Sequence, residues 1–309
     1  EALRNNFRKL VEAAWPEAEP DTRKAFIPTW HIDAICEHLQ AVADGHIQNL
    51  VINVPPGSAK SILVSVLFPA WRWTHLPEFR AIFSAYGEDP LIRDSLKCRK
   101  VIESLWYRET FEPKWTIDPH QNEKGYYFNT SSGFRYSTTV GGQGTGMRAD
   151  LLACDDPLNV RDQFSESKLE DCIFWWDNVM YNRLDNLATG QKLLIMQRVS
   201  DRDLSGHVLR TGGYDHLMIP MEYDPSRSKV TSIGWQDPRT ERGELMFEKL
   251  FPRPAVEAAK KTLGPATGYS GQYQQNPAAD GGNIIRSYWW GYWKPAGVKL
   301  PPVRVKMQD

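Results

Sequence analysis

Residues 55–61 read Pro55-Pro56-Gly57-Ser58-Ala59-Lys60-Ser61 and stand between a β-branched run, Asn49 to Val54, and an apolar helical stretch. A strand that turns tightly into a helix aims several backbone N–H groups at one point, and such a point binds phosphate. Lys60 is then expected to face solvent and reach β- and γ-phosphates, while the Ser61 hydroxyl ligates Mg²⁺. The match to the G-x-x-x-x-G-K-[ST] pattern is partial. Val54 and Ala59 occupy the two glycine positions, and only Gly57, Lys60 and Ser61 serve the pattern. Alone, the segment reads equally as an ordinary turn carrying a solvated lysine.

About a hundred residues on, Leu151-Leu152-Ala153-Cys154 runs straight into Asp155-Asp156-Pro157. At the carboxyl end of a parallel strand, both carboxylates would arrive beside the phosphate loop. Asp155 is the expected outer ligand, holding Mg²⁺ through water, and Asp156 the expected base that orients and deprotonates an attacking water. The competing reading is a pair of helix-capping aspartates. Charge developing on a transferred phosphoryl group calls for a mobile guanidinium as well. Arg148, after the glycine-rich Gly141 to Gly146, is the candidate, placed to reach a neighbouring subunit's site; a loop arginine on the surface is the alternative, and Arg93 and Arg99 compete for the role. Gln197, closing the run Lys192 to Gln197, is suited to sense the γ-phosphate, although the segment after it, Ser200 to Gly206, also reads as a plain helix start.

Five buried strands are expected to position these residues: Asn49–Val54, Arg80–Tyr86, Leu151–Cys154, Lys192–Gln197 and His216–Ile219. Mostly joined through helices, they predict a largely parallel, helix-covered sheet. A hairpin is expected over Tyr126–Asn129 and Phe134–Thr138, and an exposed, charged helix over Asp89–Leu105. The expected division is a helical lead-in over 1–48, a nucleotide-binding core over 49–221, a linker subdomain over 222–300 and the start of a further domain over 301–309.

Composition sets limits. The chain has 309 residues, 41% hydrophobic and 24% charged, as folded globular domains do. With 37 Lys plus Arg against 38 Asp plus Glu, a net charge of -1, any nucleic-acid contact must be a local basic patch. Cys36, Cys98, Cys154 and Cys172 form no C-x-x-C pair, which argues against zinc knuckles and disulfides and for a reducing compartment. The longest apolar run, Ile62 to Ala70, falls short of the roughly 20 residues a membrane span needs, and no leader is expected. The pairs Trp71/Trp73 and Trp175/Trp176, with Trp289, Trp290 and Trp293, are expected to pack cores or seams more than to stack on bases.

In order and spacing these pieces resemble the large terminase subunits of tailed double-stranded DNA phages. The resemblance rests on Trp30-His31-Ile32, the double-proline loop Ile52 to Ser61, Gly141 to Pro157, Gln197-Arg198 with Asp203 to Gly206, and Gly271-Gln272-Tyr273-Gln274-Gln275-Asn276-Pro277 with Gly281-Gly282. It implies an α/β P-loop NTPase of the additional-strand (ASCE) kind with a small C-terminal linker subdomain, and a nucleotide site to which Trp30 and His31 belong along with Pro56 to Ser61. It further implies hydrolysis of ATP with Mg²⁺, and a homo-oligomeric ring on the capsid portal protein that drives double-stranded DNA into a procapsid in the host cytoplasm. The small terminase subunit would be another partner, and no membrane is involved. The closing run Val303 to Asp309 resembles the first strand of the ribonuclease H-like nuclease of this family, the rest of which lies beyond this sequence. Asp156 stands where many such ATPases have glutamate. Another ring-forming translocase or helicase, or a nucleotide-dependent scaffold without turnover, are the alternatives.

Overall fold

The computed structural model describes residues 1–142, 146–264 and 268–277. The three Trp of 289–293, Gly281-Gly282 and the expected nuclease start lie outside the described residues. An eight-stranded sheet forms the centre, in the order β3-β4-β5-β2-β6-β7-β1-β8. From β5 to β8 all neighbours are parallel: β5 (Phe134–Thr139), β2 (Arg80–Ala85), β6 (Leu151–Asp155), β7 (Gln191–Met196), β1 (Asn49–Asn53) and β8 (Asp215–Met218). The five expected core strands are all present, and β7 lies between β1 and β6, the extra strand that gives the additional-strand architecture its name. β1, β2, β6 and β7 are buried almost throughout, which is why they read as apolar runs, whereas β8 at the sheet edge is mostly half-buried.

The hairpin forms as β4 (Tyr126–Asn129) and β5, and it does more than cap an edge. β5 pairs along its length with β2, from Arg80 opposite Phe134 to Ala85 opposite Thr139, so it becomes an interior strand. An eighth strand, β3 (Ile117–Asn122, IDPHQN), carries no strand signal in its sequence. It is an edge strand with a register shift, and an edge is where Pro119 is tolerated.

Helices α1 (Phe7–Ala18) and α2 (Trp30–Ala43) bury Phe7, Leu10, Ile35 and Leu39 in the same cluster as the sheet and the helix after the phosphate loop. That helix opens with a π-helical turn, Ile62–Leu67, before α3 (Phe68–Arg72). α4 (Glu88–Glu103) corrects the expected exposed helix: Leu91, Asp94, Ser95, Cys98, Val101 and Ile102 form a buried face, and Ser104 begins a separate helix, α5 (Leu105–Phe111). On the other face of the sheet, α6 (Glu166–Phe174) leads to Trp175 and Trp176, both in a second core cluster; Trp71 and Trp73 are buried in the first. α7 (Leu204–Thr211) is capped by Asp203, whose carboxylate accepts from Gly206 N–H. Beyond residue 222, α8 (Arg253–Leu263) and α9 (Tyr269–Gln272) send Val256 and Tyr269 into the first cluster. All four cysteines are buried free thiols, and among the described residues no helix is long and apolar enough to cross a membrane.

Candidate nucleotide site

The strands β2, β6 and β1 all end at one edge of the sheet, and there the phosphate loop, Asp155, Asp156 and the start of α4 enclose a cleft of about 490 Å³. That volume is in the range of small-molecule sites. Pro56, Gly57, Ala59, Lys60 and Ser61 line it. Two loop residues adopt left-handed backbone, Gly57 with φ 79° and Ala59 with φ 62°. Glycine takes this conformation freely; alanine does so at a cost. Ala59 occupies a position where the general pattern has glycine, so the departure is one of side chain and not of backbone shape. A Cβ on Gly57 would also sit 3.4 Å from the Phe251 ring. Ser58 does not line the cleft; its side chain is buried and its Oγ has no hydrogen-bond partner.

Lys60 differs from expectation. It is 7% exposed instead of facing solvent, and its Nζ lies 2.8 Å from the Asp156 carboxylate. Asp156 is itself held in left-handed backbone, φ 46°, with its N–H on Ile195 O and its carbonyl accepting from Tyr86 N–H. Its Oδ1 also accepts from Gln197 N–H at 3.1 Å. Neither aspartate caps a helix: the next helical turn is capped by Asn159.

Asp155, 8% exposed, accepts from Ser65 Oγ at 3.2 Å through Oδ2, while its Oδ1 is buried without a hydrogen-bond partner. Burial pushes its carboxyl up to about 7, the neighbouring Asp156 charge adds to the rise, and Lys60 and the Ser61 hydroxyl pull it down. A buried carboxylate oxygen with no partner, beside a serine hydroxyl, is a hard oxygen donor set suited to Mg²⁺. Among the described residues no three His, Cys, Asp or Glu side chains cluster as a metal cage, and Mg²⁺ at a nucleotide site takes one or two protein oxygens plus phosphates.

The remaining candidates divide. Arg93 lines the cleft, in an ion pair with Asp94, whereas Arg99 pairs with Glu103 outside it. Gln197 meets the site through its backbone, and its own Oε1 is buried without a partner. Trp30 and His31 are not cleft residues. Trp30 stacks on Trp235 with Arg239 above it, and His31 is buried beside Phe247, held by burial at a pKa of about 4. Arg148 is exposed and precedes β6 at its amino end, so the strand's rise puts it about 20 Å from Asp155. It does not reach this chain's own cleft.

Sequence reading missed four residues that hold the site. Asn53, fully buried at the end of β1, donates to Met196 O and accepts from Ser205 Oγ and His216 Nε2, both at 2.8 Å. Its signal was a polar residue closing a β-branched run. Gln275 accepts from Arg198 N–H through Oε1 at 3.0 Å and so clamps the tail of β7. Ser65 and Arg135 form the wall behind Asp155.

No family model and no curated protein matches the chain. Solved structures do. The large terminase of bacteriophage HK97 superimposes with a TM-score of 0.54 at 13% identity, over 87% of this chain and 55% of that one. A large terminase from a thermophilic bacteriophage, in complex with ADP, gives 0.46 at 9% identity, over 84% of this chain and 52% of that one. The chain therefore spans about half the length of these structures, and the likeness to the HK97 protein is one of fold.

Proposed function

We propose that this chain is the ATP-hydrolysing motor portion of a viral large terminase subunit. The observation that carries the reading is the convergence of Lys60, Ser61, Asp155 and Asp156 on one cleft at the switch point of an additional-strand sheet. The shared fold with the HK97 large terminase supports it.

In this reading the loop N–H groups and Lys60 hold the triphosphate. Lys60 leaves Asp156 for the β- and γ-phosphates, which frees the Asp156 carboxylate to accept a proton from water as the water oxygen attacks the γ-phosphorus. The bond from the γ-phosphorus to the bridging oxygen breaks, and ADP and phosphate result. Ser61 and Asp155 would hold Mg²⁺, which screens the charge on the β- and γ-oxygens. Gln197, bonded to Asp156 through its N–H, reports the state of the site to the segment after β7. Arg148, remote from its own cleft, serves the cleft of the next subunit in a ring. On a portal protein, and with a small terminase subunit as a further partner, such a ring drives double-stranded DNA into a procapsid in the host cytoplasm.

The test is phosphate release from ATP with and without double-stranded DNA, at several salt concentrations. DNA should stimulate release, and the stimulation should fade steeply with salt because backbone contacts release counterions. A chain that binds ATP without releasing phosphate would be a nucleotide-dependent scaffold, and one stimulated better by single strands a helicase.

A further inference from the structure

A buried arginine is costly unless other groups answer its charge. Arg135, on β5, is 1% exposed, and its hydrogen bonds run to neutral oxygens. Nη1 donates to Ser137 Oγ at 2.7 Å and Nη2 to the Ser65 carbonyl at 3.1 Å, while Nε has no partner. The guanidinium lies 4.4 Å from the centre of the Phe83 ring. Ser65, in the π-helical turn behind the phosphate loop, in turn donates its hydroxyl to Asp155 Oδ2 and leaves Oδ1 unpartnered.

We propose that Arg135 and Ser65 are a positioning relay for the divalent cation. Arg135 fixes the main chain of Ser65, and the Ser65 hydroxyl fixes one oxygen of Asp155 so that the other is presented to Mg²⁺. The relay rests on the nucleotide-site reading above and assigns two residues to its metal. A ligating carboxylate that is free to rotate binds its ion less well, and groups that orient metal ligands typically contribute about 10- to 100-fold in affinity. The rigid guanidinium fork suits this task, since it reaches two acceptors at once in fixed geometry.

The experiment titrates Mg²⁺ into the chain with a non-hydrolysable ATP analogue, and separately measures analogue affinity in EDTA. Ser65→Ala should raise the half-saturating Mg²⁺ concentration about 10-fold or more, with metal-free affinity unchanged. Arg135→Met should act in the same direction, Arg135→Lys should not restore binding, and the double variant should be little worse than the poorer single one. If Arg135→Met fails to fold, Ser65→Ala decides alone, because it removes one hydroxyl and leaves Arg135 in place. An unchanged Mg²⁺ titration for Ser65→Ala overturns the relay. A wild-type chain with no Mg²⁺-dependent binding overturns the nucleotide-site reading as well, so the two failures are distinct.

Discussion

Lys60 and Asp156 neutralise one another across the cleft, Nζ to carboxylate at 2.8 Å. The residue proposed to hold phosphate and the residue proposed to handle water are thus paired with each other, and nucleotide must part them. Asp156→Asn weakens that competition. It should bind ATP in Mg²⁺ at least as tightly as wild type while phosphate release falls about 100-fold or more. Equal turnover in the two proteins would assign the base elsewhere.

Lys60→Ala removes both the phosphate ligand and the partner of Asp156. Release should drop by about 100- to 1000-fold, the range seen when one preorganised charge-stabilising donor is lost. Circular dichroism must show a folded chain, since a 7% exposed lysine contributes to packing too.

Ala59 holds φ 62° without glycine's freedom. Ala59→Gly should therefore stabilise the chain by about 1 kcal/mol, read as a higher urea midpoint at unchanged slope. Nucleotide affinity should stay within a few-fold of wild type, because the loop already has the shape glycine would give it.

Acid should destabilise the fold through its buried histidines before carboxylates of ordinary pKa titrate, with Asp155, pushed up to about 7, working in the opposite sense. Burial holds the His31 pKa down to about 4 and that of His216 to about 3, against an ordinary value near 6.5. Below pH 6.5 the unfolded chain takes up protons that the folded chain refuses, so this stability is complete above pH 6.5 and is lost as pH falls toward 4. The expected loss is about 1 kcal/mol or more per pH unit below pH 6. Denaturation midpoints from pH 7.5 to 4.5 read it directly, and His31→Leu should flatten the slope.

Arg148 predicts complementation. Arg148→Ala and Asp156→Asn subunits should each be inactive, and a mixture should regain part of the activity at interfaces pairing an intact arginine with an intact aspartate. A finger supplied in trans contributes about 10³ to 10⁵ in rate, so few such interfaces suffice to detect it. Mixtures that assemble but stay inactive would return the role to Arg93, which lines the cleft of its own chain.

Local pattern revealed those parts of the fold that local pattern determines. The strands β1, β2, β6 and β7 announced themselves because burial on both faces leaves apolar runs, and Asp155 and Asp156 were legible as charge at the end of one. What stayed hidden depends on neighbours distant in sequence. Arg135 alternates with Phe134 and Tyr136 and reads as the wet face of a hairpin; it is buried because β2 and α4 come to lie against β5. β3 carries the turn formers Asp118, Pro119 and Asn122 and exists by its edge position. Trp30 and His31 were placed at the nucleotide by family resemblance, and in the structure they pack against Trp235 and Phe247.

The clamp of Gln275 on Arg198 joins residues 77 positions apart in sequence, and Met221 N–H bonds Tyr273 O across a shorter but still long gap. A buried N–H left without its acceptor costs about 1 to 3 kcal/mol. During synthesis, then, the end of β7 beside Asp156 stays unsecured until residues 273–275 have left the ribosome. Contacts this distant slow folding, because the loop must close before it is rewarded. The cleft should consequently be among the last regions of the nascent chain to mature.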